Sequence, residues 1–269
     1  MPITSRKANG IEIYYEIHGS GTPLVLIAGL GYPVWEWHKM VPILSSQFMV
    51  VTFDNRGVGL TEKPAGPYSA SMLAADLAGL LDGLGLEKAI IMGHSMGGFI
   101  AQAFALEYPH RVSKLILCST NFGGPNHIPI TPEAMQVLSD LSSEPLTRFS
   151  NGLTISTAPG FAEKHPEIIQ EWLEWRLANP IHAAGYQAQM AIGLGLLSEQ
   201  AAFEQRLNQI LSPTLIIFGA DDKLVPPANA DLLAERITGS KIVILPDVGH
   251  FFPLETPQAA AELVISFAK

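Results

Sequence analysis

The chain has 269 residues, of which 48% are hydrophobic, and its formal net charge is −9. This length and apolar content predict a globular protein, built either as one domain with an insertion or as two small domains. The shortage of Lys and Arg argues against nucleic acid and anionic membrane surfaces as partners, because phosphates are bound by basic residues.

The N-terminal segment and the cysteine content bear on the cellular location. The segment MPITSRKANG has no apolar run behind its basic residues, which argues against a signal peptide. The single cysteine, Cys118, cannot form an internal disulfide, and its apolar surroundings, KLILCST, are typical of a buried and inert thiol. Together these features predict a cytoplasmic protein.

Apolar segments predict strands, and amphipathic segments between them predict helices. The predicted strands are IEIYYEIH (11–18), PLVLIAG (23–29), FMVVTFD (48–54), KAIIMG (88–93), VSKLILCS (112–119), PTLIIFG (213–219) and KIVILP (241–246). The predicted helices are residues 35–46, residues 71–86 with Ser71 as N-cap, a helix after Ser95, a helix near residues 227–237 and one starting at Pro257. This alternation predicts an α/β fold, a mostly parallel sheet with helices on both faces.

Residues 124–206 break the alternation. They contain the helical segments PEAMQVLSDL (132–141), PEIIQEWLEWRLA (166–178) and AAGYQAQMAIGLGLL (183–197), separated by Pro and Gly, and no convincing strand. The pattern predicts a helical cap of residues 124–206, inserted into an α/β core of residues 1–123 and 207–269.

Polar residues follow several of the predicted strands, at the edge of a parallel sheet where ligands bind. Ser95, in GHSMGG, lies on a strand-to-helix turn with the GxSxG pattern, whose glycines permit a strained backbone that exposes the hydroxyl. A serine hydroxyl needs a base to become a nucleophile, and the base needs an orienting partner. His250, after one later strand, and a carboxylate of GADD, after another, supply both in the chain order Ser, Asp, His.

These motifs resemble those of the α/β-hydrolase fold family, and the similarity covers essentially the whole chain. GHSMG is similar to the family's nucleophile elbow, GADDKLVP (219–226) to its GxxDxxxP segment and VGHFFPLETPQ (248–258) to the segment that carries the catalytic histidine. FDNRGVG (53–59) is similar to its DxRGxGxS segment, with Thr61 where Ser is usual. The chain departs from the family at Ala28, because HGxG is frequent where this chain has Ala-Gly-Leu-Gly.

The resemblance implies a role for each matching residue. Ser95 is the nucleophile, His250 the general base and Asp222 its orienting acid, while the backbone amides of Leu30 and Met96 receive the oxyanion. Among the other acids, Asp221 competes with Asp222, and Asp247 is a weaker candidate. His94, beside Ser95, is interpreted as a packing or supporting residue that points away from the nucleophile.

The resemblance further implies a serine hydrolase that cleaves small carboxylic esters through an acyl-enzyme intermediate. Its partner is a small-molecule ester or lactone, and no cofactor or metal is expected. Enol-lactone hydrolysis of the 3-oxoadipate type and hydrolytic C–C cleavage use the same triad, so both stay open. A non-catalytic small-molecule receptor with this fold is the alternative of another class. A dinucleotide-binding module is disfavoured, because Ser95 occupies the second glycine position of GxGxxG.

Two features of the cap concern the substrate. The aromatic residues Phe161, Trp172, Trp175 and Tyr186 are candidates for an acyl pocket, although aromatic residues at helical spacing also form ordinary core. Residues 124–206 contain nine acidic residues against four basic ones, which predicts a preference for neutral esters over carboxylated ones. A single well-placed Arg148 or Arg176 would reverse that preference.

Overall fold

The computed structural model describes residues 4–269, so the first three residues of the N-terminal segment lie outside the described part of the chain. Eight strands form one sheet. They are β1 (Ser5–Ala8), β2 (Ile11–His18), β3 (Pro23–Ile27), β4 (Met49–Phe53), β5 (Ala89–His94), β6 (Val112–Cys118), β7 (Thr214–Gly219) and β8 (Lys241–Leu245).

The strand order across the sheet is β1-β2-β4-β3-β5-β6-β7-β8. The pairs β1/β2 and β2/β4 are antiparallel, and all the other neighbours are parallel. Strands β5 and β7 are buried along their whole length, as expected for central parallel strands with helices on both faces. The predicted fold class is therefore confirmed.

Eleven α-helices occur in residues 4–269. They are α1 (Val41–Leu44), α2 (Ala70–Leu84), α3 (Met96–Glu107), α4 (Pro132–Ser139), α5 (Pro145–Ser156), α6 (Phe161–Lys164), α7 (Pro166–Ala178), α8 (Ala183–Gly195), α9 (Asn229–Arg236), α10 (Phe252–Glu255) and α11 (Pro257–Ala268). Short 3₁₀ helices span Val34–Trp37, Pro109–Arg111 and Glu204–Gln209.

Alternate side chains of the central strands enter two separate cores. Ile91 of β5 belongs to the core that includes Leu77 of α2 and Phe104 of α3. Its neighbour Met92 belongs to the core on the opposite face, with Trp37 and Phe252 among its members. This two-sided burial holds the carboxyl ends of β3, β5, β7 and β8 along one rigid edge, where the candidate site lies.

Three local predictions were wrong. Residues 35–46 do not form one helix but a 3₁₀ turn followed by α1, because Pro42 has no amide to donate and its ring opposes a continuous helix. The N-cap of α2 is Ser69 rather than Ser71. The Ser69 hydroxyl accepts from the Met72 amide at 3.1 Å, whereas the Ser71 hydroxyl donates to Glu107. The antiparallel edge strand β1 was not predicted.

Between β6 and β7 the chain forms the five helices α4 to α8 and no strand. Three of these helices match the predicted segments, whereas α5 and α6 were not predicted. The division into a core and a cap at residues 124 and 206 stays a prediction. No helix formed by residues 4–269 combines the length and the apolarity that a membrane crossing requires.

Candidate active site

Ser95 lies on the sharp turn between β5 and α3. Its backbone has φ 55° and ψ −119°, a strained conformation for a residue other than glycine. Its amide donates to the Cys118 carbonyl at 2.8 Å, which fixes the turn against β6. A Cβ at Gly93 would collide with the Gly97 carbonyl, and a Cβ at Gly97 with the Ile27 carbonyl. The turn therefore needs both flanking glycines for its close packing.

His250 and Asp222 form a buried pair beyond the ends of β8 and β7. Nδ1 of His250 donates to Oδ2 of Asp222 at 2.9 Å, and the residues are 2% and 5% exposed. Oδ1 of Asp222 accepts from the amides of Leu224 at 2.9 Å and Val225 at 2.8 Å. Because the proton on Nδ1 is held by the carboxylate, Nε2 of neutral His250 is the nitrogen that can accept one.

The competing acids lie in other surroundings. The Asp221 amide donates to the Val248 carbonyl at 2.8 Å, and Asp247 is an exposed turn residue with φ 57°. Among residues 4–269, Asp222 is the acid that hydrogen-bonds to the His250 imidazole.

Ser95 and His250 line the same cavity, so the candidate nucleophile and the candidate base share one surface. Asp222 is the hydrogen-bond partner of the His250 ring, and no hydrogen bond joins the Ser95 hydroxyl to that ring within the described residues. Catalytic hydrogen bonds of this kind commonly form or tighten when substrate binds.

The predicted oxyanion donors flank the nucleophile. Met96 is the first residue of α3, where backbone amides have no partner within the helix, and Leu30 lies in the loop after β3. Both residues line the cavity. The amides on either side of Leu30 are held by side chains: Gly29 donates to Glu36 at 2.6 Å, and Gly31 donates to Gln189 at 2.9 Å. These contacts fix the loop and leave the Leu30 amide available for a substrate oxygen.

The structure reveals a buried acid that the sequence analysis did not single out. Glu36 is fully buried, with Oε1 2.5 Å from Nδ1 of His94. Nε2 of His94 donates to the His250 carbonyl at 2.9 Å. An acid between two tryptophans, in the segment WEWHKM, was the available signal, but its partners come from other elements of the fold.

The cavity has a volume of about 280 Å³, at the small end of the range for ligand sites. Trp172 and Tyr186 line it, together with apolar residues of the helices between β6 and β7. Trp175 and Phe161 are not among the residues that line this cavity, and a role of the four aromatic residues in an acyl pocket stays a prediction. The Trp175 ring is stacked on Trp35 at 4.2 Å between centroids, and the Phe161 ring packs against His165 at 4.7 Å.

Two arginines lie on the wall of this cavity. Arg148 makes one long hydrogen bond, from Nη1 to the Leu141 carbonyl at 3.4 Å, and its buried Nε has no partner among the described residues. Arg176 lies over the Tyr32 ring at 4.4 Å and donates to the Gly31 carbonyl at 3.4 Å. Neither guanidinium forms a salt bridge within residues 4–269, so both retain capacity for an anionic group.

A second buried carboxylate supports the loop that carries His250. Glu255 accepts from the amides of Ala158 at 2.8 Å and Gly249 at 3.1 Å. Burial raises the pKa of Glu255 to about 7, and the charges of Asp222 and Asp221 act in the same direction, against the two amides, which lower it. The loop before His250 is thus tied to the C-terminal end of α5 through an acid that titrates near neutral pH.

The described residues contain no group of three or more His, Cys, Asp or Glu side chains arranged to hold a metal ion.

The fold and this site define a protein of the α/β-hydrolase class. Residues 22–257 match the family model described as alpha/beta hydrolase fold, and the chain belongs to that family. RutD of Azorhizobium caulinodans, which carries the name of a carbamate hydrolase, is 30% identical over 258 residues, covering 95% of this chain and 94% of that protein.

Two solved structures extend the comparison. A thermophilic esterase from Thermogutta terrifontis is 30% identical with a TM-score of 0.81, covering 99% of this chain and 96% of the esterase. The enol-lactonase from Burkholderia xenovorans LB400 is 26% identical with a TM-score of 0.82, covering 98% of this chain and 99% of that enzyme. The family resemblance inferred from the motifs is confirmed, and these relatives carry the names of hydrolytic enzymes.

Proposed function

We propose that this protein is a serine hydrolase that cleaves small carboxylic esters through an acyl-enzyme intermediate. The proposal is carried by one observation: Ser95, on its strained turn, and His250, which is hydrogen-bonded to the buried Asp222, line one cavity. A nucleophile and a base on one surface, with an acid that orients the base, are the minimum set for covalent acyl transfer. The names of the esterase and enol-lactonase relatives support the same class of reaction.

In the acylation step, Oγ of Ser95 attacks the ester carbonyl carbon while Nε2 of His250 takes the hydroxyl proton. Asp222 keeps the ring oriented and stabilises the imidazolium that forms. The amides of Leu30 and Met96 donate to the carbonyl oxygen as its negative charge develops. Collapse of the tetrahedral intermediate breaks the C–O bond, and the leaving alcohol takes the proton from His250.

In the deacylation step, water attacks the acyl carbon and passes a proton to Nε2 of His250. The second tetrahedral intermediate releases the carboxylic acid and returns the proton to Oγ of Ser95, so the net reaction adds one water across the ester bond. The apolar wall near Trp172 would receive the organic part of the substrate, and the cavity volume favours short or medium acyl groups.

Hydrolysis of an enol-lactone is the second candidate. The same steps open a lactone ring, with the leaving oxygen retained on the acyl group, and the named enol-lactonase relative supports this substrate class. Hydrolytic C–C cleavage uses the same nucleophile and base but needs a substrate whose leaving carbon is stabilised as an enolate. A receptor role without turnover is disfavoured by the intact His250–Asp222 pair beside Ser95.

A panel of p-nitrophenyl esters, lactones and vinylogous diketones, assayed with one preparation of the wild-type protein, separates these candidates. Ester hydrolysis with the highest kcat/KM supports the proposal. A preference for lactones or diketones by two orders of magnitude would replace it with the corresponding alternative. Tight binding without turnover of any class would support the receptor. Cytoplasmic location and a small-molecule partner, rather than nucleic acid or membrane, remain proposals that rest on charge and composition.

A further inference from the structure

Glu36 and His94 form a buried pair beside Ser95, and both residues line the cavity that contains Ser95 and His250. Glu36 belongs to the 3₁₀ helix Val34–Trp37, His94 is the last residue of β5, and both side chains are fully buried. The rings of Trp37 and Phe252 approach the His94 ring edge-on, with centroids 6.3 Å and 5.7 Å away. The polar atoms of such buried side chains need hydrogen-bond partners, and here protein groups supply them.

The hydrogen-bond partners of His94 determine where its protons lie. The His250 carbonyl can only accept, so Nε2 of His94, 2.9 Å away, carries a proton. A second proton lies between Nδ1 of His94 and Oε1 of Glu36. Burial alone would lower the pKa of His94, but the charge of Glu36 and the hydrogen bonds to Glu36 and the His250 carbonyl outweigh it and raise the pKa. The hydrogen bonds therefore place one proton on Nε2 of His94 and one shared between Nδ1 of His94 and Oε1 of Glu36.

The pair touches three parts of the candidate machinery. Oε2 of Glu36 accepts from the Gly29 amide at 2.6 Å, directly before the candidate oxyanion donor Leu30. His94 directly precedes Ser95 in the chain and donates to the backbone of His250. One hydrogen-bonded pair thus joins the oxyanion loop, the nucleophile turn and the base loop.

At the position where the chain departs from the family motif, the loop after β3 is held by groups other than the Ala28 side chain. The methyl group of Ala28 cannot form hydrogen bonds, whereas the carboxylate of Glu36 reaches the next residue along the loop, Gly29. The short hydrogen bond from the Gly29 amide to Glu36, at 2.6 Å, restrains the loop at this point. The loop is held from the other side by Gln189, through the Gly31 amide.

We propose that Glu36 and His94 are positioning residues, which set the Leu30 amide and the His250 backbone at the distances from Ser95 that acyl transfer needs. This inference rests on the proposed serine hydrolase function. Both act through backbone groups, because Glu36 accepts from the Gly29 amide and His94 donates to the His250 carbonyl. A misplacement of these loops is expected to lower kcat, because oxyanion stabilisation depends on sub-ångström geometry.

Glu36→Met and Glu36→Gln form the test pair. Methionine removes both hydrogen bonds at similar length, and we expect kcat on a p-nitrophenyl ester to fall about 100-fold with KM changed less than threefold. The glutamine oxygen can still accept from Gly29, and its NH₂ can donate to Nδ1 of neutral His94. Glu36→Gln should therefore retain kcat within about tenfold of wild type, a rescue that separates the hydrogen bonds from the volume of the side chain.

Affinity for a trifluoromethyl ketone gives a readout that a merely structural role would not move. This inhibitor forms a tetrahedral adduct with Ser95, so its affinity should fall in parallel with kcat across the Glu36 variants. The matched control is Asp76→Asn, which alters a buried carboxylate paired with Arg56 at 2.6 Å, outside the candidate site. We expect Asp76→Asn to lower Tm while leaving kcat and inhibitor affinity unchanged.

If Glu36→Met does not fold, Glu36→Asp replaces it, because the shorter acid keeps the charge but cannot span Gly29 and His94. A kcat loss of tenfold or more with constant KM supports the proposal. If a folded Glu36→Met or Glu36→Asp variant keeps the kcat and inhibitor affinity of the wild type, the positioning role is overturned. The hydrolase function would still stand in that case, provided that the wild type turns over the ester and Ser95→Ala does not. A wild-type protein without hydrolytic turnover would overturn both.

Discussion

Asp222 and His250 are 28 positions apart in the chain, yet Oδ2 and Nδ1 lie 2.9 Å from each other. The two residues follow β7 and β8, which are parallel neighbours, so their loops leave the sheet at the same edge. Asp222 is oriented by two backbone amides of its own loop, and the adjacent Asp221 has its backbone tied to Val248. This relationship gives the two consecutive acids different expected roles.

Asp222→Asn should lower kcat on an activated ester by on the order of a thousandfold or more, because the amide can stabilise the wrong tautomer of His250 and cannot stabilise the imidazolium. Asp221→Asn, the matched control, should remain within about threefold of wild type, because among the described residues the imidazole is hydrogen-bonded to Asp222 and not to Asp221. Steady-state kinetics of the two variants under identical conditions provide the measurement. The reverse order of effects would assign the acid to Asp221.

Arg148 gives a prediction about substrate charge. We expect p-nitrophenyl mono-succinate to be hydrolysed with a higher kcat/KM than p-nitrophenyl butyrate, because a partly buried guanidinium in an apolar cavity can bind a carboxylate directly. The charge count of residues 124–206 predicted the opposite preference. That count gave exposed glutamates the same weight as a guanidinium on the cavity wall.

Arg148→Gln should lower kcat/KM for the succinate ester about tenfold or more and change that for the butyrate ester by less than threefold. Arg206→Gln is the control, because Arg206 is exposed and lies off the cavity wall. The preference should persist at high salt if the contact is direct. A butyrate preference that Arg148→Gln leaves unchanged would restore the neutral-ester expectation.

Glu255 gives a prediction about stability and pH. Burial raises its pKa in the folded protein to about 7, so between its ordinary pKa and pH 7 the folded state binds more protons than the unfolded state. The contribution of Glu255 to the free energy of unfolding therefore decreases as the pH rises through this window. Glu255→Gln removes that dependence, and its stability relative to wild type should increase by roughly 2–3 kcal/mol from pH 5 to pH 8.

Urea denaturation at the two pH values measures this difference. Glu87→Gln, at an exposed position, should show the same stability relative to wild type at both. If the stability of both variants relative to wild type changes equally between the two pH values, Glu255 is ionised throughout the range.

The central strands were predictable because a parallel strand buried on both faces is apolar along its length, as in Ala89–His94. The candidate triad was predictable for a related reason, since Ser95 and Asp222 come soon after the buried strands β5 and β7, and His250 follows β8, whose sequence KIVIL is apolar although it lies at the sheet edge. The edge strand Ser5–Ala8 was missed because three of its four residues are exposed and carry no apolar alternation. Edge strands of this kind are specified by their partner rather than by their own pattern.

The supporting contacts of the site were not predictable for a related reason. Glu36 is 58 positions from His94, and Gln189 is 158 positions from Gly31, so no local sequence pattern predicts either contact. Trp172 and Trp175 are one helical turn apart on α7, yet Trp172 lines the cavity and Trp175 stacks on Trp35. Which face of a helix meets a cavity depends on neighbours that the helix sequence does not contain.

The nucleophilic role of Ser95 is tested most directly by labelling with a fluorophosphonate and measuring ester turnover in wild type and Ser95→Ala. We predict stoichiometric labelling of the wild type, with the adduct mapped to Ser95, and no labelling of the variant. The variant should retain the wild-type Tm within a few degrees and lose about three orders of magnitude or more in kcat. A folded Ser95→Ala protein that keeps most of its activity, or an adduct on another residue, would contradict the serine mechanism.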